Sequence, residues 1–533
     1  MAACTRTNTG DTETLVDVLH PSHAGRTAVV LPEAAQSLTY AQLAHEVSHA
    51  RDALSAAGLG RGDVVAMVLP NCLEFVVCWL ATTNGRSIAA PLNPDYRLDE
   101  FKFYLEDTEA KAVIVPRGGR AAVAVEAAQQ LRVPVWETWA EVDASSGRVR
   151  VGLESVEPLP VRRATASELR VAPEPEDVAL FLHTSGTTGR PKGVPLTYRN
   201  LVTNLRNISR HYRLTPDDRS LIVMPLFHVH GLIGGGSVVI QPGKFSATTF
   251  WRDFLSNECT WYSAVPTIHQ ILLARADKDY TTSGKLRFIR SCSSALAPAV
   301  FKQLEERFKA PVIEAYAMTE NSHQMTSNQL PPGKRKPGSV GQGTGVEVTI
   351  RDDSGKELAQ GEKGEVCLRG PTVTRGYHNN PQANKTAFHE GRWFRTGDQG
   401  FFDEDKFLVL TGRIKELINR GGEKIAPSEI DSALLSHPDV SEAVSFGVPS
   451  DKYGEEVEAA VVLKGGREGG KAVEEAILKH CHAKLAAYKC PRRLYIAKDL
   501  PRTATGKIQR RHVATHFLKN SADSDKSLKK AKL

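Results

Sequence analysis

Short apolar runs alternate along the chain with longer segments whose apolar positions recur every three or four residues, and this rhythm predicts strands and helices in alternation. Residues 64–69 are apolar at every position and read as a strand buried on both faces, and residues 112–115 read the same way. Between and after them, 74–82 and the amphipathic stretch 121–131 read as helices, the second leading into Pro134-Val135-Trp136. The expected architecture is therefore layered α/β. Residues 145–175, rich in Arg, Pro and Glu, read as a surface connection. From 347 to 368, short strands separated by Asp353-Ser354-Gly355 and by 361–364 suggest a small β-rich subdomain, with Gly341-Gln342-Gly343-Thr344-Gly345 as a turn before it. The pattern changes at 413–415. Beyond it, strands at 439–449 and 457–463 and helices at 427–436 and 471–485 form a compact α+β module. The expected division is 1–412, a connection at 413–415, 416–519, and a polar tail at 520–533. No internal repeat is visible.

Against this background one run stands out: Thr184-Ser185-Gly186-Thr187-Thr188-Gly189-Arg190-Pro191-Lys192-Gly193, directly behind the apolar segment 178–182. Glycines let a backbone turn tightly and aim several N–H groups at one anion, while hydroxyls and the Lys192 ammonium add donors. The plain alternative is a polar hairpin turn. The Walker pattern is excluded, because no Gly-Lys pair in the chain is followed by Ser or Thr. Further motifs follow in order: Tyr316-Ala317-Met318-Thr319-Glu320, Arg395-Thr396-Gly397-Asp398, Gly412-Arg413-Ile414-Lys415-Glu416, Gly421-Gly422-Glu423-Lys424 and Pro501-Arg502-Thr503-Ala504-Thr505-Gly506-Lys507.

In this order the motifs resemble those of the adenylate-forming superfamily, which includes acyl-CoA synthetases, 4-coumarate-CoA ligases, firefly-type luciferases and peptide-synthetase adenylation domains. The resemblance runs from about residue 38 to about residue 518. Within the superfamily, Phe227-His228-Val229-His230-Gly231, Trp261-Tyr262-Ser263-Ala264-Val265-Pro266-Thr267 and Arg290-Ser291-Cys292-Ser293-Ser294 look most like peroxisomal oxalate-CoA ligases. The resemblance implies a large multi-layer N-terminal domain and a small mobile C-terminal domain hinged at Lys415. It also implies a reaction in which ATP and an acid give an acyl-adenylate, and coenzyme A then displaces AMP.

That chemistry brings a carboxylate onto a polyanion, so cations and N–H donors must surround the phosphates. By resemblance, Thr184, Ser185, Gly186, Thr187, Thr188, Gly189 and Lys192 hold the β- and γ-phosphates, and Glu320 holds Mg2+ through hard oxygen ligation. Thr319 donates to the α-phosphate, and Lys507 bonds both phosphate and attacking carboxylate. Asp398 accepts from the ribose hydroxyls with Arg413 beside it, Ser293, Ser294 and Ala295 line the adenine, and Tyr316 offers a ring for stacking. Gly421, Gly422, Glu423 and Lys424 are the coenzyme A face. His228 gates the acid pocket, and His230, Ser291, Ser293 and His323 are polar groups suited to a second carboxylate, since a buried anion must be paired or hydrogen-bonded. A long fatty chain would instead need an apolar pocket. One departure stands beside these matches: after Gly231 the relatives run into a helix of several turns, whereas here Leu232-Ile233 meets Gly234-Gly235-Gly236. The rival readings are a 4-coumarate-type or medium-chain acyl-CoA ligase, and a non-catalytic nucleotide-binding interaction protein that keeps the fold.

Composition changes this picture little. A chain of 533 residues exceeds one ordinary core, and 41% hydrophobic with 24% charged residues is an ordinary globular balance. The net charge of +7 suits anionic small molecules and gives no argument for nucleic acid. Eight scattered cysteines without a C-x-x-C pair read as reduced thiols, and His480-Cys481-His482 with Cys490 fits no zinc spacing. No apolar run reaches the length of a membrane span. The terminal Ala531-Lys532-Leu533, behind a polar lysine-containing stretch, is a near match to the address read by the peroxisomal import receptor. The expected location is the peroxisomal matrix, with the cytosol as a second site; a merely solubilising basic tail is the plain alternative.

Overall fold

Consecutive apolar residues become central parallel strands, and charge-bearing alternating ones become edges. The computed structural model describes residues 14–157, 171–184, 191–228, 236–281, 284–467, 469–502, 508–510 and 512–517. A seven-stranded sheet runs in spatial order Val149–Ser155, Val135–Val142, Ala112–Pro116, Val64–Met67, Ile88–Pro91, Val178–Thr184, Lys192–Thr197. Its interior pairs are parallel and both edge pairs antiparallel. Val64–Met67 is buried at every position, as its unbroken apolar run requires. The helices expected at 74–82 and 121–131 are observed as Leu73–Asn84 and Ala122–Gln130.

A nine-stranded sheet contains, side by side, Val312–Met318, Phe288–Ser291, Trp261–Ala264, Arg219–Ile222 and Ser237–Ile240, all parallel. His323–Ser327 and Gln342–Gly343 close one edge antiparallel, while Thr27–Leu31 and Gln36–Thr39 form the other. One apolar cluster joins the two sheets through residues such as Val29, Val65, Phe75, Leu180 and Ile240. A second, on the other side of the nine-stranded sheet, is dominated by Phe250, Trp251, Phe254, Tyr262 and Phe308.

The helix Tyr198–His211 follows the strand Lys192–Thr197 without a gap. Thr197 caps it reciprocally: its Oγ1 accepts from Asn200 N at 3.2 Å, and Asn200 Oδ1 accepts from Thr197 N at 2.9 Å. Its Asn204 amide then donates to the carbonyls of Asn321 and Gln324, at 3.0 and 2.9 Å. The start of the helix is thereby tied to one polar motif and its middle to another.

A five-stranded antiparallel sheet holds Glu347–Arg351, Gly364–Arg369, Trp393–Phe402, Phe388–His389 and Leu408–Arg413. The C-terminal module has its own core around Ile418, Ile430, Leu434, Val457, Val461 and Ile477. The strands expected at 439–449 and 457–463 are observed as Val440–Ser450 and Gly454–Leu463, which pair antiparallel as a long hairpin, with helices Pro427–Leu435 and Lys471–His482. The turn Ile414–Glu416 connects it to the larger part, with Lys415 exposed.

Two expectations change. The surface connection assigned to 145–175 contains the edge strand Val149–Ser155, in which Val149, Val151 and Leu153 are buried and Arg150 and Glu154 are exposed. Period-two alternation outweighs the charge content that suggested a loop. The glycine-rich turn at 341–345 includes the short strand Gln342–Gly343, paired with Thr326 and Ser327.

Candidate active site

The polar motifs gather where the parallel strands of the nine-stranded sheet end, the place open α/β sheets reserve for ligands. Val312–Met318 passes directly into the turn Thr319–Asn321, with Thr319 half-buried and Glu320 buried. Tyr377 Oη donates to Glu320 Oε1 at 2.9 Å, and Thr374 N donates to the Glu320 carbonyl at 2.7 Å. Lys192 Nζ lies 4.6 Å from the centroid of the Tyr377 ring. Burial raises the pKa of the Glu320 carboxyl, while Tyr377, Arg413 and Lys192 act in the opposite direction. Glu320 is thus a buried oxygen donor whose charged form a hard cation would favour, and its chemistry fits Mg2+.

The strands flanking the glycine-rich run pair antiparallel, with Thr184 opposite Lys192. His378 N donates to the Gly193 carbonyl at 2.9 Å, and Thr374 Oγ1 donates to the Pro195 carbonyl at 3.0 Å. The base of the run is therefore stapled to the segment that carries Tyr377.

The second cluster centres on Asp398, which sits opposite Arg413 in the antiparallel pairing. Arg413 Nε lies 2.8 Å from Asp398 Oδ1, and Tyr316 Oη donates to Asp398 Oδ2. Burial, then the Asp398 charge, pushes the Tyr316 phenol far up, so it remains a donor. Burial disfavours the Arg413 charge, but Asp398, Tyr316 and Glu320 more than offset that and raise its pKa. Asp398 follows Gly397, whose φ of 73° lies where glycine is preferred. Glu365, on the adjacent strand Gly364–Arg369, fixes this stretch by accepting from Gly397 N at 2.9 Å and from Arg395 Nε at 2.7 Å. Arg413 links the clusters, because its charge acts on both Asp398 and Glu320.

At the neighbouring strand end, Ser291 is buried, Ser293 is half-buried with a φ of 74°, and Ser294 and Ala295 are exposed. This turn is held by Glu314, which accepts from Leu296 N at 3.1 Å and Gly338 N at 3.3 Å. Burial pushes the Glu314 carboxyl up to about 7. The folded state therefore keeps a proton that the unfolded chain loses near pH 4.5, so this contribution to stability is complete below pH 4.5 and lost as pH rises through about 7. The loss amounts to about 3 kcal/mol. Glu314→Gln is expected to flatten the decline in melting temperature between pH 5 and pH 8 relative to the parent; parallel declines in the two proteins would remove the role.

His228 is half-buried beyond the strand Arg219–Ile222, and its N–H donates to the Pro225 carbonyl at 3.1 Å. The segment before it is fixed by the buried Asn71 side chain, which bonds Met224 O at 3.1 Å and Leu226 N at 2.7 Å. His323 is buried, and it and Ser322 have φ values of 142° and 58°, a strained pair of non-glycine residues of the kind that collects at functional sites. Gly421 and Gly422, with φ of 62° and 92°, form the two-residue turn between the strands Ile418–Arg420 and Glu423–Ile425, and all of Gly421, Gly422, Glu423 and Lys424 are exposed. Ser185, Gly186, Thr187, Thr188, Gly189, His230, Lys507, the shortened segment 229–235 and Ala531-Lys532-Leu533 lie outside the described residues.

Sequence reasoning missed Tyr377, Glu365 and Glu314. Each acts on a motif many residues away, and no local spacing marks it. Glu365 also belongs to the one group of metal-ligand types found among the described residues, with Cys367 and His389. It is engaged by Arg395 and Gly397, however, and burial pushes the Cys367 thiol up to about 12. No helix among the described residues is long and apolar enough to cross a membrane.

Residues 20–378 match the AMP-binding enzyme family and residues 429–507 match the AMP-binding enzyme C-terminal domain. A protein of Arabidopsis thaliana named oxalate--CoA ligase is 52% identical over 494 residues, covering 90% of this chain and 94% of that protein. One of the same name from Saccharomyces cerevisiae is 48% identical over 529 residues, covering 94% and 96%. Among solved structures, ATP-bound MatB from Rhodopseudomonas palustris superposes with a TM-score of 0.81 at 30% identity, covering 95% of this chain and 99% of that one.

Proposed function

The chain belongs to the AMP-binding enzyme family, and from that premise we propose that it is an AMP-forming acid-CoA ligase whose acid is oxalate. The observation that carries the reading is the presence of two buried carboxylates on either side of the end of the strand Val312–Met318: Asp398, bonded by Tyr316 and Arg413, and Glu320, bonded by Tyr377 near Lys192. The named relatives support oxalate over a 4-coumarate-type or medium-chain acid.

In the first half-reaction a carboxylate oxygen of the acid bonds to the α-phosphorus of ATP, and the bond from the α-phosphorus to the α,β-bridging oxygen breaks to release pyrophosphate. Asp398 takes the ribose hydroxyls, with Arg413 and Tyr316 holding its orientation. Ser293, Ser294 and Ala295 meet the adenine. Lys192 and the run Thr184 to Gly189 surround the β- and γ-phosphates, Thr319 donates to the α-phosphate, and Lys507 bridges phosphate and acid. Glu320 would hold Mg2+, which supplies positive charge against the phosphate oxygens. In the second half-reaction the coenzyme A sulfur bonds to the acyl carbon, AMP leaves, and the thiol proton is lost. Turning about Lys415 would exchange Lys507 for the Gly421-Gly422 hairpin at the site. His228, His230, Ser293 and His323 are assigned to the acid. Ser291, being buried, would support that wall from behind.

ATP–pyrophosphate exchange against a panel of acids tests the reading, with oxalate expected to give the fastest exchange. No exchange with any acid would favour the non-catalytic alternative and end the proposal. Delivery to the peroxisomal matrix through Ala531-Lys532-Leu533 is a further part of the reading; a fluorescent fusion that stays cytosolic with the tail intact would defeat it.

A further inference from the structure

Arg290 is fully buried, at 0% exposure, in the strand Phe288–Ser291. Its guanidinium is held by named acceptors on three other elements. Nη1 donates to Ser263 Oγ at 2.8 Å, Nη2 to Gln324 Oε1 at 3.0 Å, and Nε to Tyr212 Oη at 3.0 Å. Tyr212 Oη itself lies 2.7 Å from Gln324 Oε1, to which it donates, and 2.8 Å from Ser327 Oγ, so the acceptors are bonded to one another and to the strand His323–Ser327. A guanidinium does not deprotonate in a protein, and a charge taken out of water is costly, so an arginine retained here needs a reason. Hydrophobic residues of similar volume would fill the space at less cost.

Position supplies the reason. Arg290 lies one residue before Ser291 and three before Ser293, at the carboxyl end of a parallel strand. Its acceptor Gln324 immediately follows His323 and pairs with Ala317, two residues before Thr319. Ser263 is the penultimate residue of its own strand, Trp261–Ala264. The cationic head is thus anchored to the strand Trp261–Ala264, near its carboxyl end, to the strand His323–Ser327, near its start, and to Tyr212 at the end of the helix Tyr198–His211. Ala315 and Ala317, the small residues of the intervening strand, leave room for the side chain to reach across.

We propose that Arg290 is a specificity-determining positioning residue, whose fixed buried charge beneath the strand ends makes the acid pocket favour small dianions over monoanions. It acts through Ser263, Gln324 and the 291–293 turn rather than by contact with the reacting atoms. The oxalate reading of the site is the base on which this rests. A small acid with one carboxylate engaged at phosphorus still carries a second negative charge only if it bears a second acidic group, as oxalate does, and that second charge gains most from a cation in a poorly solvated place.

Charge neutralisation in place tests this without removing the side chain. Gln324→Glu is nearly isosteric, keeps the acceptor for Arg290 and Tyr212, and puts a carboxylate on the guanidinium. It is expected to raise KM for oxalate at least tenfold in ATP–pyrophosphate exchange, while KM for ATP and the exchange rate with glyoxylate, a monoanion of similar size, change less than threefold. Arg290→Gln should shift the oxalate-to-glyoxylate preference in the same direction, and Arg290→Lys should keep most of it. Equal losses with both acids, or an unchanged preference in Gln324→Glu, would overturn the inference while leaving the ligase reading standing. Absence of oxalate-dependent exchange in the parent protein would instead overturn the reading beneath it, and the inference with it.

Discussion

Lys507→Ala is expected to reduce oxalate-dependent ATP–pyrophosphate exchange by about 100- to 1000-fold, the cost of removing one charged donor from a developing phosphoryl anion. The loss should fall on one half-reaction. When acyl-adenylate is supplied with coenzyme A, thioester formation should stay within about threefold of the parent, because by then the charge on phosphorus has been relieved by departure of pyrophosphate. Arg502 and Ile508 form an antiparallel bridge, Arg502 pairs with Glu442, and Leu500 and Val513 are buried in the C-terminal module's second cluster. The described chain on both sides of the segment 503–507 thus belongs to the module, which on the reading proposed above turns about Lys415 between the half-reactions. Equal loss in both half-reactions would reject the role.

How far the chain could be read in advance depended on whether the signal was local. Residues 64–69 gave a strand because both faces of a central parallel strand are buried, so every position must be apolar. The Thr319–Glu320 and Gly397–Asp398 pairs stand out in the sequence because their chemistry is concentrated within a few residues, and the structure puts the first in a turn and the second inside the strand Trp393–Phe402. The edge strand Val149–Ser155 was not, since its exposed face carries Arg150 and Glu154 and its neighbourhood is rich in loop-forming residues. Tyr377 and Glu365 were invisible for a different reason. Tyr377 reaches Glu320 across 57 positions and Glu365 reaches Gly397 across 32, and only the fold makes them neighbours. Arg290 was quoted within a motif, yet an arginine in a sequence reads as a solvated charge until its burial is seen.

The ribose end of the site makes the other large prediction. Asp398→Ala is expected to lower kcat/KM for ATP by about 30- to 1000-fold, since removing a buried carboxylate from a half-buried arginine partner costs about 2–4 kcal/mol once the hydroxyl contacts go with it. Part of that loss would come from Arg413 and Tyr316, which lose the carboxylate that now holds them, so melting temperature should also fall. The two contributions separate in a ratio. An enzyme that binds both ribose hydroxyls discriminates strongly against 2′-deoxy-ATP, because an unpaired buried acceptor is left behind when the hydroxyl is missing. The ratio of kcat/KM for ATP to that for 2′-deoxy-ATP is independent of how much protein is folded. It should be large in the parent and collapse towards one in Asp398→Ala; retained discrimination would mean that another group reads the ribose and that Asp398 serves only to hold Arg413 in place.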